Sequence, residues 1–197
     1  MTRDRILDAA ALEIERNGLT QFRVKRVASE AGISVALLYS YFEDREGLIA
    51  ATIVHRFRQV LLRQAEIFTT PLTNVQTPQD LRAALAVMIS DAQAPELYEA
   101  RILRVESMSF ARHNATASLG IAAAKEEAGA QIMEFVRPIV DGGLLAPGMT
   151  GVAFARIWYA LFFGQIALEG EHALSIDADD WLTALHVLAT AMVRVDD

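Results

Sequence analysis

The sequence predicts an all-α protein, with an N-terminal three-helix domain and a larger C-terminal helical body, about nine helices in total. Three observations predict it. Apolar residues recur every third or fourth position through most of the 197 residues. The periodic stretches are separated by Gly, Pro and Asn clusters, which punctuate helices. Two short stripes between Arg23 and Phe42 flank Gly32, in the manner of two helices joined by a tight turn.

The first helix is expected from Thr2, as a cap, to about Asn17. Ile6, Leu7, Ala10 and Ile14 form its inward stripe and Gly18 ends it. Arg3 and Arg5, near its start, read as a solvated tail. In the second helix Val24, Val27, Ala28 and Ala31 repeat at helical spacing, with small Ala28 allowing a close crossing. Gly32 follows where a helix end favours a left-handed residue. Ser34 can then cap a third helix whose Leu38 and Phe42 face inward together. The remaining positions of that helix face outward: Val35, Ala36, Leu37, Tyr39, Ser40 and Tyr41. Arg23, Lys25 and Arg26 flank one side and Arg45 the other. A helix of this size fits the DNA major groove, and flanking cations and phenols can hold phosphates. An ordinary helical hairpin has the same composition; the joint spacing of Ala28, Gly32, Ile33, Ser34, Leu38 and Tyr39 favours the DNA reader.

This segment resembles the DNA-binding domain of TetR-family transcriptional regulators. The family pattern is alanine, three residues, glycine, an aliphatic, serine, then leucine–tyrosine, one residue, and an aromatic or histidine before phenylalanine. Here it stands as Ala28, Gly32, Ile33, Ser34, Leu38-Tyr39 and Tyr41-Phe42, followed by Asp44-Arg45-Glu46-Gly47-Leu48. The pattern spans about the first quarter of the chain; the rest is similar in length, helicity and layout. The resemblance implies a DNA-binding domain over 1–48, with its motif at about 23–42, and an effector-binding and dimerisation domain over 49–197. It carries the DNA-binding role to Arg23, Lys25, Ser34, Val35, Ala36, Leu37, Tyr39, Ser40, Tyr41 and Arg45. Two positions depart from the pattern. Arg23 stands where the family has a capping threonine or serine, leaving Thr20 as the nearest candidate cap. Ala36 and Leu37 stand where glycine and threonine are common, so methyl groups replace a hydroxyl at the groove.

A fourth helix, capped by Asp44, is expected from Arg45 to about Phe68, with Leu48, Ile49, Ile53, Phe57, Val60 and Leu61 as its stripe. In the family this helix links the reading head to the body, and its motion alters the separation of two heads. Pro71 and Pro78 bracket a link; Thr77 or Pro78 starts helix five, which runs to about Gln93, and Pro95 starts helix six. After a break at His113-Asn114, helix seven runs from about Thr116 to Val140, with Pro138 expected to kink or end it.

Helix eight, about Thr150 to Gly170, is apolar around its circumference from Ile157 to Phe163, which calls for cover on every side. A second copy is the expected cover. With helix nine, about Asp177 to Arg194, it forms the expected dimer face: Tyr159, Phe163, Trp181, Leu185, Leu188 and Met192. Twofold symmetry then implies a near-palindromic duplex target.

Net charge is −7, which conceals a division. Up to Arg63, ten Lys/Arg face eight Asp/Glu; beyond it, eight face seventeen. Only the front is suited to nucleic acid. The absence of cysteine excludes disulfides and thiolate metal sites and fits a reducing compartment. No apolar run follows Met1-Thr-Arg-Asp-Arg and none is long enough to span a bilayer, so a cytoplasmic protein without a signal peptide or membrane partner is expected. An enzyme is not expected: there is no phosphate loop or nucleophile elbow, and His55, His113, His172 and His186 are scattered. Glu169-Gly-Glu-His172 has the Glu-x-x-His spacing of carboxylate-bridged metal bundles, but occurs once, and reads as a solvated helix end. No cofactor is expected.

The resemblance implies a small-molecule effector among the C-terminal helices. Phe68, Met88, Arg104, Met108, Met133, Trp158 and Phe162 are the candidate lining, since methionines and aromatics adapt to apolar guests; the same residues also suit an ordinary core. The reading is a DNA-binding regulator, a repressor released by an effector. The alternative is a helical small-molecule-binding or interaction module that does not read DNA.

Overall fold

A computed structural model describes residues 2–94, 96–168 and 177–195. Among them the chain is all α-helical apart from a 3-10 turn at Thr70–Leu72 and one isolated bridge. The helices are α1 (Thr2–Asn17), α2 (Val24–Glu30), α3 (Val35–Tyr41), α4 (Arg45–Thr69), α5 (Pro78–Ala92), α6 (Glu96–Ala111), α7 (Ala115–Asp141), α8 (Gly151–Leu168) and α9 (Ala178–Ala191). Helix six's expected start at Pro95, helix eight's end at Gly170 and the Glu169–His172 motif lie outside the described residues.

Local chemistry sets the helix ends. Gly18 and Gly32 take positive φ, 68° and 64°, and stop α1 and α2. The Ser34 hydroxyl accepts from the Leu37 N–H at 3.1 Å, and an Asp44 carboxylate oxygen accepts from the Gly47 N–H at 2.7 Å. Thr77 and Asp80 form a reciprocal capping box behind Pro78. Two expectations are corrected. Thr2 lies within α1 rather than before it. Pro138 neither ends nor interrupts α7, which continues to Asp141. A proline removes one N–H and tolerates helical φ, and the following turn is closed by Gly142 N–H donating to the Pro138 carbonyl at 2.9 Å.

The chain divides into two compact units, Met1–Leu61 with Arg104–Lys125, and Leu62–Leu103 with Glu126–Asp197. The division read at 48/49 falls inside α4, and the first unit continues beyond it. The first unit's core gathers Ile6, Leu7 and Ala10 of α1, Val27 and Ala28 of α2, and Leu38 of α3, with Phe22, Phe42, Leu48 and Ile49. The second unit's core joins Leu81, Leu85, Met88 and Ile89 of α5 to Val136 and Ile139 of α7, Phe154, Trp158 and Phe162 of α8, and Leu185 and Ala189 of α9. In that unit the segment after α7 pairs with the end of α9. Ala146 N–H donates to the Met192 carbonyl and Arg194 N–H to the Leu144 carbonyl, both at 2.9 Å.

Within the first unit α7 approaches α4 closely at Gly120. A Cβ placed there would lie 2.7 Å from Val54 Cγ1 and 2.8 Å from Cγ2. Alanine normally stabilises a helix interior by up to about 1 kcal/mol over glycine. Overpacking costs about 1–3 kcal/mol, and a β-branched neighbour is stiff at χ1. The overlap wins: Gly120→Ala is expected to lower the denaturant midpoint. In a Val54→Ala background the penalty should shrink, because the obstructing methyls are gone and only the Cβ, 3.3 Å away, remains.

Candidate nucleic-acid interface

The α2–turn–α3 hairpin is closed by its own backbone. Gly32 N–H donates to the Ser29 carbonyl at 3.1 Å and Ile33 N–H to the Ala28 carbonyl at 2.9 Å. The turn puts Leu38 wholly inside, at 0% exposure, while Leu37, Tyr39 and Tyr41 stand 42%, 41% and 43% exposed. Arg23, Lys25, Ser34, Ala36 and Ser40 are exposed as well. The exposed arc of α3 therefore runs from Tyr39 through Ala36, Ser40 and Leu37 to Tyr41, with the two phenols at its opposite edges.

The ten residues expected at the interface are not equally available. Ser34 is engaged as the α3 cap. Ser40 Oγ donates to the Leu37 carbonyl at 2.7 Å, leaving its lone pairs as the outward function. Val35 is half-buried and packs on the first unit's core instead of facing outward. Arg45 is half-buried. It pairs with Glu46, donates to the Leu19 carbonyl at 2.8 Å and sits over the Phe22 ring at 5.6 Å. Its guanidinium thus braces the loop between α1 and α2. Arg3 and Arg5 also depart from the solvated-tail reading. Arg3 lies over the Phe42 ring at 5.5 Å, and Arg5 Nη2 donates to the Ala31 carbonyl. Both tie α1 to the hairpin.

Sequence reasoning missed the group at the start of α2. Arg23 is its N-cap residue and makes no side-chain cap bond, and Thr20 does not supply one. Glu13 of α1 reaches across instead. Its Oε1 accepts from the Arg23 N–H at 3.0 Å and from Arg26 Nη2 at 2.6 Å, and its Oε2 accepts from Asn17 Nδ2 at 2.9 Å. Glu13 is 7% exposed, and the Arg26 guanidinium holds its carboxyl below the ordinary value of 4.5. The spacing held a clue: Glu13 lies three residues after Ala10 and seven after Ile6, on the inward stripe where a carboxylate needs partners.

The other expected residues divide between the units. Phe68, Met88, Met133, Trp158 and Phe162 gather in the second, while Arg104 and Met108 belong to the first. Phe68 stacks on Phe162 at 4.3 Å and Phe162 on Trp158 at 5.4 Å. Trp158 Nε1 is buried and has no hydrogen-bond acceptor among the described residues. A separate open cavity of about 640 Å³ lies beside Ile67, Pro71, Val75, Ala84 and Val87. Of the residues expected at a dimer face, Tyr159 and Leu188 are exposed, and Phe163 and Trp181 are half-exposed. Leu185 and Met192, each 2% exposed, are corrected to the chain's own core, where α9 packs on α5. Among the described residues, no three His, Asp or Glu side chains cluster closely enough to hold a metal, and no helix is long and apolar enough to cross a membrane.

A helix-turn-helix braced by α1, with the second helix of the pair turned outward, is the arrangement used by helix-turn-helix DNA-binding domains. Residues 6–52 match the sequence model of the family described as bacterial regulatory proteins, tetR family. Among curated relatives, the HTH-type transcriptional regulator BetI of Brucella anthropi is 31% identical over 94 residues, covering 47% of this chain and 46% of that protein. BetI of Paraburkholderia phymatum is 36% identical over 58 residues, covering 29% of this chain and 30% of that protein. The match thus spans less than half of those relatives. Among solved structures, a protein from Mesorhizobium loti assigned to the TetR-family transcriptional regulators superposes with a TM-score of 0.66 at 16% identity, covering 96% of this chain and 93% of that one. Salmonella enterica GusR gives 0.61 at 23%, with the same coverage. These likenesses extend the fold to nearly the whole chain.

Proposed function

We propose that the chain is a homodimeric repressor that binds a near-palindromic duplex through α3 and is released when the second unit binds a small molecule. The observation that carries this reading is the outward face of α3, with Leu37, Tyr39 and Tyr41 exposed on a helix anchored by Leu38. Tyr39, Tyr41, Lys25 and Arg23 hold phosphates. Ala36 and Leu37 meet base edges, where their methyls suit thymine. Ser40 offers lone pairs beside them.

Dimerisation is supported by the outer faces of α8 and α9. Tyr159 and Phe163 stack at 6.3 Å there, and Val152, Val187 and Leu188 are exposed at 56%, 67% and 37%. A second copy would cover them. Selection of duplexes from a random library by the wild-type protein, with its mass in solution, tests both parts. Enrichment of a twofold-symmetric site bound by a dimer is expected; no enrichment, or binding by a monomer, refutes the reading.

Effector binding is supported by Trp158. A buried donor without an acceptor is costly, and a guest presenting a carbonyl or carboxylate would satisfy it. Trp158→Phe keeps an aromatic ring, though a smaller one, and removes the donor. It is expected to leave duplex binding intact and to raise the effector concentration needed for release by about tenfold, the worth of one buried hydrogen bond. Titrating a ligand recovered by native mass spectrometry from the wild-type protein measures it.

A further inference from the structure

We infer that Glu13 is the positioning residue for DNA reading: its carboxylate, reaching from α1, closes the start of α2 and so sets the pose in which α3 meets the duplex. The inference rests on the reading that α3 enters the groove.

The geometry is specific. A single buried carboxylate serves three donors from three places in the chain: Asn17 at the end of α1, the Arg23 N–H ahead of α2, and Arg26 on α2's first turn. Arg26 Nη2 also donates to the Gln21 carbonyl at 2.6 Å, so the intervening loop is held by the same ion pair. α2 has seven residues, too few to persist without outside support. A helix start normally has a serine, threonine, aspartate or asparagine side chain to receive its N–H groups, and Arg23 cannot do so. Glu13 instead accepts from the Arg23 N–H, the bond that a capping box gives to a carboxylate three residues into the helix, and here it comes from a neighbouring helix. α3 is fastened to α2 through the Ile33 N–H bond to the Ala28 carbonyl, so an error in α2 carries into Tyr39 and Tyr41.

Glu13→Gln tests this, because the amide is almost the same size yet cannot accept from all three donors and turns its own NH2 toward one of them. The sign of the effect separates positioning from simple charge. Removing an anion and releasing half-exposed Arg26 would by electrostatics alone tighten binding to any duplex. Positioning predicts that affinity for the duplex selected by wild type falls about tenfold or more, while binding to a scrambled duplex of equal length is no weaker. It also predicts that the Glu13→Gln penalty shrinks below about threefold when Arg23 is already serine, since that hydroxyl accepts from an N–H of α2's first turn and holds the helix start by a second route. Should Glu13→Gln fold poorly, Glu13→Asp, which keeps the charge and shortens the reach, must give the same pattern. The inference is overturned if the selected duplex binds the variant as well as wild type, if both duplexes weaken equally, or if the penalty is the same in the Arg23→Ser background. A wild-type protein that enriches no duplex would instead sink the groove reading on which this depends.

Discussion

Replacing Tyr39 and Tyr41 together with alanine is expected to weaken binding to the selected duplex by about ten- to a hundredfold. Each phenol is more than two-fifths exposed on the outward side of α3, so neither is needed to fill the core. A hydrogen bond to a charged phosphate is worth about 1.5–3 kcal/mol, and a neutral one about 1 kcal/mol. Two such bonds, discounted for exposure to water, give the range stated. Tyr41 also tilts against Phe42 with ring centroids 6.5 Å apart, so a small loss of packing accompanies the change. Helicity and mass in solution should therefore match those of the wild type while affinity falls. Fluorescence anisotropy with the labelled duplex, beside circular dichroism of the same sample, measures both. Unchanged affinity would mean that the phenols do not meet DNA.

The largest expected effect on stability is Leu38→Ala, at about 2–5 kcal/mol. α3 spans seven residues, and Leu38 is its only fully buried side chain, at 0% exposure. So short a helix has little stability of its own; what holds it is the apolar surface that it buries. Truncating Leu38 removes that anchor and leaves a void beside Val27 and Phe42. A denaturant titration should show the loss in its midpoint. Duplex binding should fall as well, since an unanchored α3 must be ordered again on binding. A loss below about 1 kcal/mol would mean that the site collapses around the void or that Phe42 and Val35 suffice.

The layout of the first unit was legible because its rules are local. Leu38 and Phe42 are four apart, Ser34 precedes an apolar run, and Gly32 sits where positive φ is needed. Each of these features acts over a few residues, the range over which helical periodicity is informative. Partnerships across the fold were not legible. Nothing near Arg45 in sequence announces that its guanidinium will reach Leu19, twenty-six residues away. The Glu13–Arg26 pair is likewise a meeting of two helices. On α9, apolar side chains occupy more than one face, so spacing alone could not tell Leu185 and Met192, which turn inward, from Leu188, which does not. The same held for α8: Phe154, Trp158 and Phe162 form the inward row, and a continuous apolar run conceals it.

The pairing of residues 144–146 with 192–194 has a mechanical corollary. Arg82 on α5 donates to the Arg194 carbonyl at 2.7 Å, so the strap behind α9 is stitched at both edges. A helix terminus left to itself frays; this one is hemmed by its neighbours. Any movement of α5 away from the end of α9 must therefore break the Arg82 bond to the Arg194 carbonyl, while the seam between 144–146 and 192–194 keeps that end from unravelling.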